Sequence, residues 1–216
     1  MQPRQRLEQE RSSSRIKRRL SIIDAAKNIF ASNSFEQATM QDIAKEANLG
    51  IATIFRYFPK KEQLIVAVAS DIVQTEIEVF SNIVHGSGTC YEKLNHIFDA
   101  FIFFQRTEDR SSSKLIEAFE CYVALSKEPL EDIDLYRAQY DSLIALFTEL
   151  AELGKLDGSV RTDINTVNTL LTMIHVFGNF SKKMAMLHGI EAFQLQVDQT
   201  EQFQILKRLF LEPLKA

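Results

Sequence analysis

Apolar residues recur at helical spacing along almost the whole chain, and no stretch alternates with the period of a strand. Between Ile16 and Ala31, Leu20, Ile23, Ala26 and Phe30 repeat every three or four positions, with Ile22 and Ile29 widening the stripe. Met40, Ile43, Ala44 and Ala47 make a second, shorter stripe. It starts behind Thr39, a good N-cap, with Asp42 three residues on in capping-box register. Asn48-Leu49-Gly50 reads as a C-cap and turn, and Gly50 doubles as the N-cap of a third helix from Ile51 to Phe58. In that helix Ile54 and Phe58 share one side, and Pro59 follows directly. Leu64, Val68, Ile72, Thr75 and Val79 then mark a long helix from about Lys60 to Val84, broken by His85-Gly86-Ser87-Gly88.

Helical patterning continues to the C-terminus. Tyr91 to Gln105 is apolar at Leu94, Ile97, Phe98, Phe101, Ile102 and Phe104. Ser111-Ser112-Ser113 caps a helix to about Ser126, and Tyr136 to Gly154 makes another. Ile164 to Leu187 carries two stripes. One is Ile164, Val167, Leu171, Ile174 and Gly178; the second is Leu170, Met173, Phe177, Phe180, Met184 and Leu187. Phe193 to Leu214 repeats this, with Phe203, Leu206 and Phe210 beside Ile205 and Leu209. A helix with two apolar stripes needs partners on two sides. A second copy of the chain supplies them in a four-helix bundle; a thick monomeric core is the alternative. The pattern therefore predicts an all-α chain of about nine helices. It divides into a mobile basic arm or frayed helical extension (1–15), a three-helix N-terminal domain (16–65) and a larger helical domain (66–216).

Charge sharpens this division. Residues 1–70 hold 12 Lys+Arg against 7 Asp+Glu, a balance of +5, and the remainder holds 13 against 22, or −9. A basic front end on an acidic chain is the footprint of a nucleic-acid contact. Arg15, Lys17, Arg18 and Arg19 are placed to lie on phosphate or reach a minor groove. No apolar run approaches 18 residues, so no membrane span is expected. The polar N-terminus does not resemble a secretory signal, and Cys90 and Cys121 read as buried thiols in a reducing cytoplasm. The four His show no metal spacing, and no phosphate loop, nucleophile elbow or C-x-x-C occurs, so neither a resident cofactor nor an enzyme is expected.

Two helices of about two turns joined by a tight turn cannot bury enough surface alone and must lean on their neighbours. The arrangement is a helix-turn-helix, with the Ile51–Phe58 helix shaped for the major groove. At these residues T-x-x-D-I-A, followed by A-N-L-G-I-A-T-I-F-R-Y-F-P-K-K-E-Q-L, resembles the DNA-binding signature of the TetR (tetracycline-repressor-like) family over roughly residues 18 to 65. Phe55 stands where that family usually has Tyr, and Gly50 and Ala52 replace a more usual Ser and Gly. The resemblance implies DNA contacts at Thr39, Gln41, Ile51, Ala52, Thr53, Phe55, Arg56, Tyr57 and Lys61. Thr39, Tyr57 and Lys61 would hold phosphates, and Gln41 a base edge or phosphate. Ile51, Ala52 and Phe55 would meet thymine methyls, and Thr53 a methyl or an acceptor.

The resemblance also implies a homodimer on a near-palindromic double-stranded operator, acting as a repressor released by a small effector. The interface residues would be Leu170, Met173, Phe177, Phe180, Met184, Phe203, Leu206 and Phe210. An effector cavity, hydrophobic or aromatic, would be lined by Phe98, Phe101, Phe104, Phe119, Tyr122, Tyr140, Phe147, His175 and Asn179, though residues of this kind more often serve as plain core. Glu117 and Glu120, if buried, would favour a cationic effector; otherwise they sit on a solvated face. The alternative is an all-α interaction module or enzyme whose helix-turn-helix no longer binds DNA.

Overall fold

The computed structural model describes residues 3–106, 111–188 and 198–216. Among them the helices run α1 (Pro3–Ser32), α2 (Met40–Glu46), α3 (Ile51–Tyr57), α4 (Lys61–Val84), α5 (Cys90–Arg106), α6 (Ser111–Leu125), α7 (Ile133–Asp157), α8 (Thr166–His188) and α9 (Gln199–Leu211), closed by a 3-10 turn at Glu212–Leu214. The described residues hold no strand beyond a single antiparallel bridge between Val160 and Lys215. The chain is all-α. Of the helix expected from Phe193, residues 193–197 lie outside the described residues; α9 itself is capped by Asp198, whose side chain accepts from the Thr200 N–H.

α1 is longer than the apolar stripe alone predicts. Proline is tolerated in the first helical turn, where its missing N–H would be unbonded anyway, and Arg, Gln and Glu are strong helix formers. The polar N-terminal residues therefore continue the helix back to Pro3 without a core of their own.

The helices gather into two compact units, Met1–Asp71 with Phe119–Tyr136, and Ile72–Ala118 with Arg137–Ala216. This differs from a boundary at 65/66. The first unit takes in the end of α6 and the start of α7 because Leu130 is buried, the Phe119 ring packs on Tyr136 at 4.7 Å, and Tyr122 meets the edge of Phe35 at 5.8 Å. Two polar contacts add to this. The Gln63 amide donates to Asp132 at 3.0 Å, and Lys60 pairs with Glu131 at 2.6 Å. All but the Phe119–Tyr136 contact join residues some 70 or more positions apart in sequence, a distance over which no local pattern speaks. The core of this unit is Ile22, Ile23, Ala26 and Phe30 of α1, Phe35 of the link that follows it, Met40, Ile43 and Ala44 of α2, and Ile54 and Phe58.

In the second unit α5 packs on α8 and α9, and α8 on α9. Its centre is aromatic: Phe177 lies 4.9 Å from Phe98, 5.4 Å from Phe101 and 5.7 Å from Phe203, and Phe80 lies 4.9 Å from Phe101. Gly154 is required by close approach, since a Cβ there would sit 2.4 Å from Val160 Cγ2 and 2.9 Å from Cys90 Sγ. Burial pushes the Cys90 thiol up to about 12, with the Asp157 carboxylate adding to it. Cys90 is thus the inert buried thiol expected, whereas Cys121 is exposed; both are free.

This unit also corrects the interface stripe. Leu170, Phe177, Met184 and Phe203 are buried within their own subunit, and Met173, Phe180, Leu206 and Phe210 are half-buried against that core. The apolar residues left outward are Val176 (44% exposed) and Met186 (43%) on α8, and Ile205 (40%) and Leu209 (60%) on α9. A stripe at helical spacing marks a buried face without saying which chain buries it.

Candidate nucleic-acid interface

α2 begins on a complete capping box. Thr39 Oγ1 accepts from the Asp42 N–H at 3.2 Å and donates to Asp42 Oδ2 at 2.6 Å, while the Thr39 N–H donates to the same carboxylate at 3.2 Å. The hydroxyl and backbone N–H of Thr39 hold the Asp42 carboxyl below its ordinary range. The helix ends in a Schellman turn. The Leu49 N–H donates to Ala44 O at 2.9 Å and the Asn48 N–H to Lys45 O at 3.1 Å. Asn48 closes it at φ 52°, a left-handed position that Asn tolerates better than most residues. Gly50 is the N-cap of α3, as its place in the turn requires.

α3 is held by few anchors. Ile54 is wholly buried, and Phe58 at the C-cap is buried beneath the Arg19 guanidinium, which lies 4.9 Å from its ring centre. Ala52, Phe55 and Arg56 are exposed and Ile51, Thr53 and Tyr57 half-buried; Thr39 and Gln41 on α2 are exposed too. Packing therefore leaves Ala52 and Phe55 with surface facing outward, and Phe55 keeps 45% of its surface in water. A bulky ring on the outward face of a two-turn helix is a cost without a partner and an asset against a thymine methyl.

Lys61 departs from the phosphate role that the resemblance implies. Its Nζ donates to three main-chain carbonyls, Phe35 O at 2.7 Å, Ala38 O at 3.1 Å and Glu36 O at 3.2 Å, and so ties α4 to the link between α1 and α2. An ammonium has three donors, and all three are used. Lys61→Met should consequently cost on the order of 1–2 kcal/mol of stability, because the carbonyls lose their donor. Thermal unfolding would show this, and the salt dependence of DNA binding should match the parent; a slope reduced by about one would restore the phosphate role.

The sequence pattern gave no sign of Arg11 and Ser14. With Glu10, Arg15 and Arg18 of α1 they form one wall of an open groove of about 830 Å³ whose other wall is Thr53, Arg56 and Tyr57 of α3. The signal that would have found them is their spacing, since 11, 14, 15 and 18 share one helix face.

The effector candidates are divided between the two compact units. Phe98, Phe101 and Phe147 are packed into the aromatic centre of the second unit, ring on ring, and Phe104 is half-buried at its margin. His175 and Asn179 lie on the exposed side of α8, where His175 Nε2 is 2.8 Å from the Tyr140 hydroxyl and the two rings stack 5.6 Å apart. Phe119, Glu120 and Tyr122 belong to the first unit. Glu117 is half-buried and faces Lys182 at 4.0 Å, so it is not an unpaired acid awaiting a cationic effector.

Comparison with known proteins supports the helix-turn-helix reading of this segment. Residues 22–68, from the core face of α1 through the first turns of α4, match the model for bacterial regulatory proteins of the tetR family. The helix-turn-helix segment is that of the tetR family. The chain's relatives include the transcriptional repressor KstR2 of Mycolicibacterium smegmatis, 24% identical over 148 residues (68% of this chain, 70% of that protein). Another is the nicotine-responsive transcriptional repressor HdnoR of Paenarthrobacter nicotinovorans, 27% identical over 127 residues (59% and 63%). Among solved structures, the Bacillus subtilis regulator FadR in complex with stearoyl-CoA shares the fold with a TM-score of 0.70 and 17% identity, over 90% of this chain and 98% of that one. The matched segment is the helix-turn-helix of tetR regulators, and the similar proteins are named as transcriptional regulators and repressors. Among the described residues no helix is long and apolar enough to cross a membrane.

Proposed function

We propose that the chain is a cytoplasmic, homodimeric repressor that binds a near-palindromic DNA operator and is released by a small hydrophobic or aromatic effector. The observation that carries this reading is the outward face of α3, where Ala52, Thr53, Phe55 and Arg56 are available and only Ile54 is spent as a wholly buried anchor. A short helix that commits so little of itself to the core is otherwise unexplained. Two such helices must meet major grooves about 34–36 Å apart, which a dimer supplies. The outward residues Val176, Met186, Ile205 and Leu209 on two helices that pack together support burial against a second copy.

An effector with an aromatic or acyl part is supported by similar proteins, one named for its response to nicotine and one seen with stearoyl-CoA. Such an effector releases DNA only if it binds the DNA-free arrangement better than the DNA-bound one. By reciprocity, operator must weaken effector binding by the factor that effector weakens operator binding, on the order of 5- to 150-fold. α4 runs unbroken from Lys61 to Val84 and contributes residues to both compact units, and so offers a continuous element through which the two events can be linked.

The reading is tested on α3 itself. Thr53→Ala should cost roughly 1–3 kcal/mol at one base position and little elsewhere, whereas Tyr57→Phe should weaken all sequences alike. Titrations against base-substituted operators separate the two. Variants of both residues that bind like the parent would remove α3 as the reader.

A further inference from the structure

From Glu10 to Arg18 the side chains of α1 are all exposed. Among them Arg11, Ser14, Arg15 and Arg18 fall on one face of the helix at spacings of three and four. That face is turned toward α3, where Thr53, Arg56 and Tyr57 complete the groove. Among the described residues, four guanidinium groups thus line one open groove against the carboxylate of Glu10. Like charges gathered this way repel one another, and the arrangement is relieved by an anion entering between the walls. On the far wall the Arg56 guanidinium lies 5.6 Å from the centre of the Tyr57 ring.

We propose that this groove grips the sugar–phosphate backbone beside the bases that α3 reads, so that the α1 extension lengthens each half-site contact. This rests on the DNA-reading assignment above. Two features select a nucleic-acid strand over a lone anion. From Arg11 to Arg18 the stripe is on the order of 10 Å long, at 1.5 Å per residue, so it faces more than one phosphate. Thr53 also belongs both to the groove and to the reading face, so a strand in the groove borders the base pair that Thr53 meets. Guanidinium forks suit phosphate oxygens, and the Ser14 hydroxyl adds a neutral donor of the kind that fixes register without reading sequence. A helical extension carries these groups already ordered, whereas a disordered arm would lose entropy on binding.

The test is the double variant Arg11→Ala with Arg15→Ala, both exposed and away from the core face of α1, beside Arg11→Lys with Arg15→Lys. Each is titrated by fluorescence anisotropy against an operator duplex and a scrambled duplex between 50 and 200 mM salt. The alanine variant should fold like the parent and lose affinity for both duplexes alike. Its slope of log K against log salt should shrink by about 2, at roughly 0.9 per phosphate released. The lysine variant should keep most of the slope, and hydroxyl-radical protection should disappear only at backbone positions flanking the α3 contact. An alanine variant with the parent's slope and footprint overturns the inference, and if Thr53→Ala still loses its base preference the reading of α3 stands. Stabilisation of the parent by inorganic phosphate, absent in the alanine variant while the slope is unchanged, assigns the groove to a free anion and overturns it too. A parent that binds neither duplex fails the underlying reading instead.

Discussion

Phe177→Ala is expected to destabilise the subunit itself by about 3–5 kcal/mol and to lower its thermal midpoint by roughly 10 °C. The ring is fully buried, and Phe98, Phe101, Phe203 and Phe210 all lie within 6.4 Å of its centre. Removing it leaves a cavity that four surrounding rings, already in contact, cannot collapse to fill. The expected loss is one of folding and should be independent of protein concentration. A variant that melts like the parent but sediments as a smaller species would return Phe177 to the subunit interface.

Ile205→Glu with Leu209→Glu should do the opposite. Both side chains project outward from α9, one turn apart, so the isolated subunit has room for the carboxylates. In an assembled dimer they would be unpaired charges in a dry contact, which association cannot tolerate. The variant should sediment as a monomer with its helical signal intact. Its operator affinity should fall by roughly 10² to 10⁴, the gain that linking two reading units ordinarily provides. Variant dimers that persist at micromolar concentration would place the subunit contact on another face.

These two outcomes differ because of what the chain's pattern can encode. α2 and α3 were legible almost to the residue, since a capping box, a left-handed Asn48 and a Gly N-cap are local devices written within four positions of where they act. The all-α class was equally legible from periodicity. Periodicity also finds the apolar stripes of α8 and α9, but Leu170 and Phe177 are buried at home while Val176 is not, and only the packing of α5 between them distinguishes the two. Lys61 was misjudged because its three carbonyl partners lie more than 20 residues away on the link between α1 and α2. The aromatic residues of α6 were grouped by composition with those of α5. Yet Phe119 and Tyr122 pack on Tyr136 and Phe35, contacts that no periodicity of α6 announces. The length of α1 was legible only as one of two alternatives, a mobile arm or a helical extension, because its first turns carry propensity without a strong apolar stripe, and propensity alone is a weak signal.

The central claim is that α3 reads duplex DNA as one of a symmetric pair. Selection from a pool of random duplexes, using the parent protein at moderate salt, tests it most directly. The account predicts enrichment of near-palindromic sites whose half-sites lie one helical turn, or a multiple of it, apart, with one base preference abolished by Thr53→Ala. A pool that stays random after repeated rounds, or sites that Thr53→Ala selects just as the parent does, would contradict it.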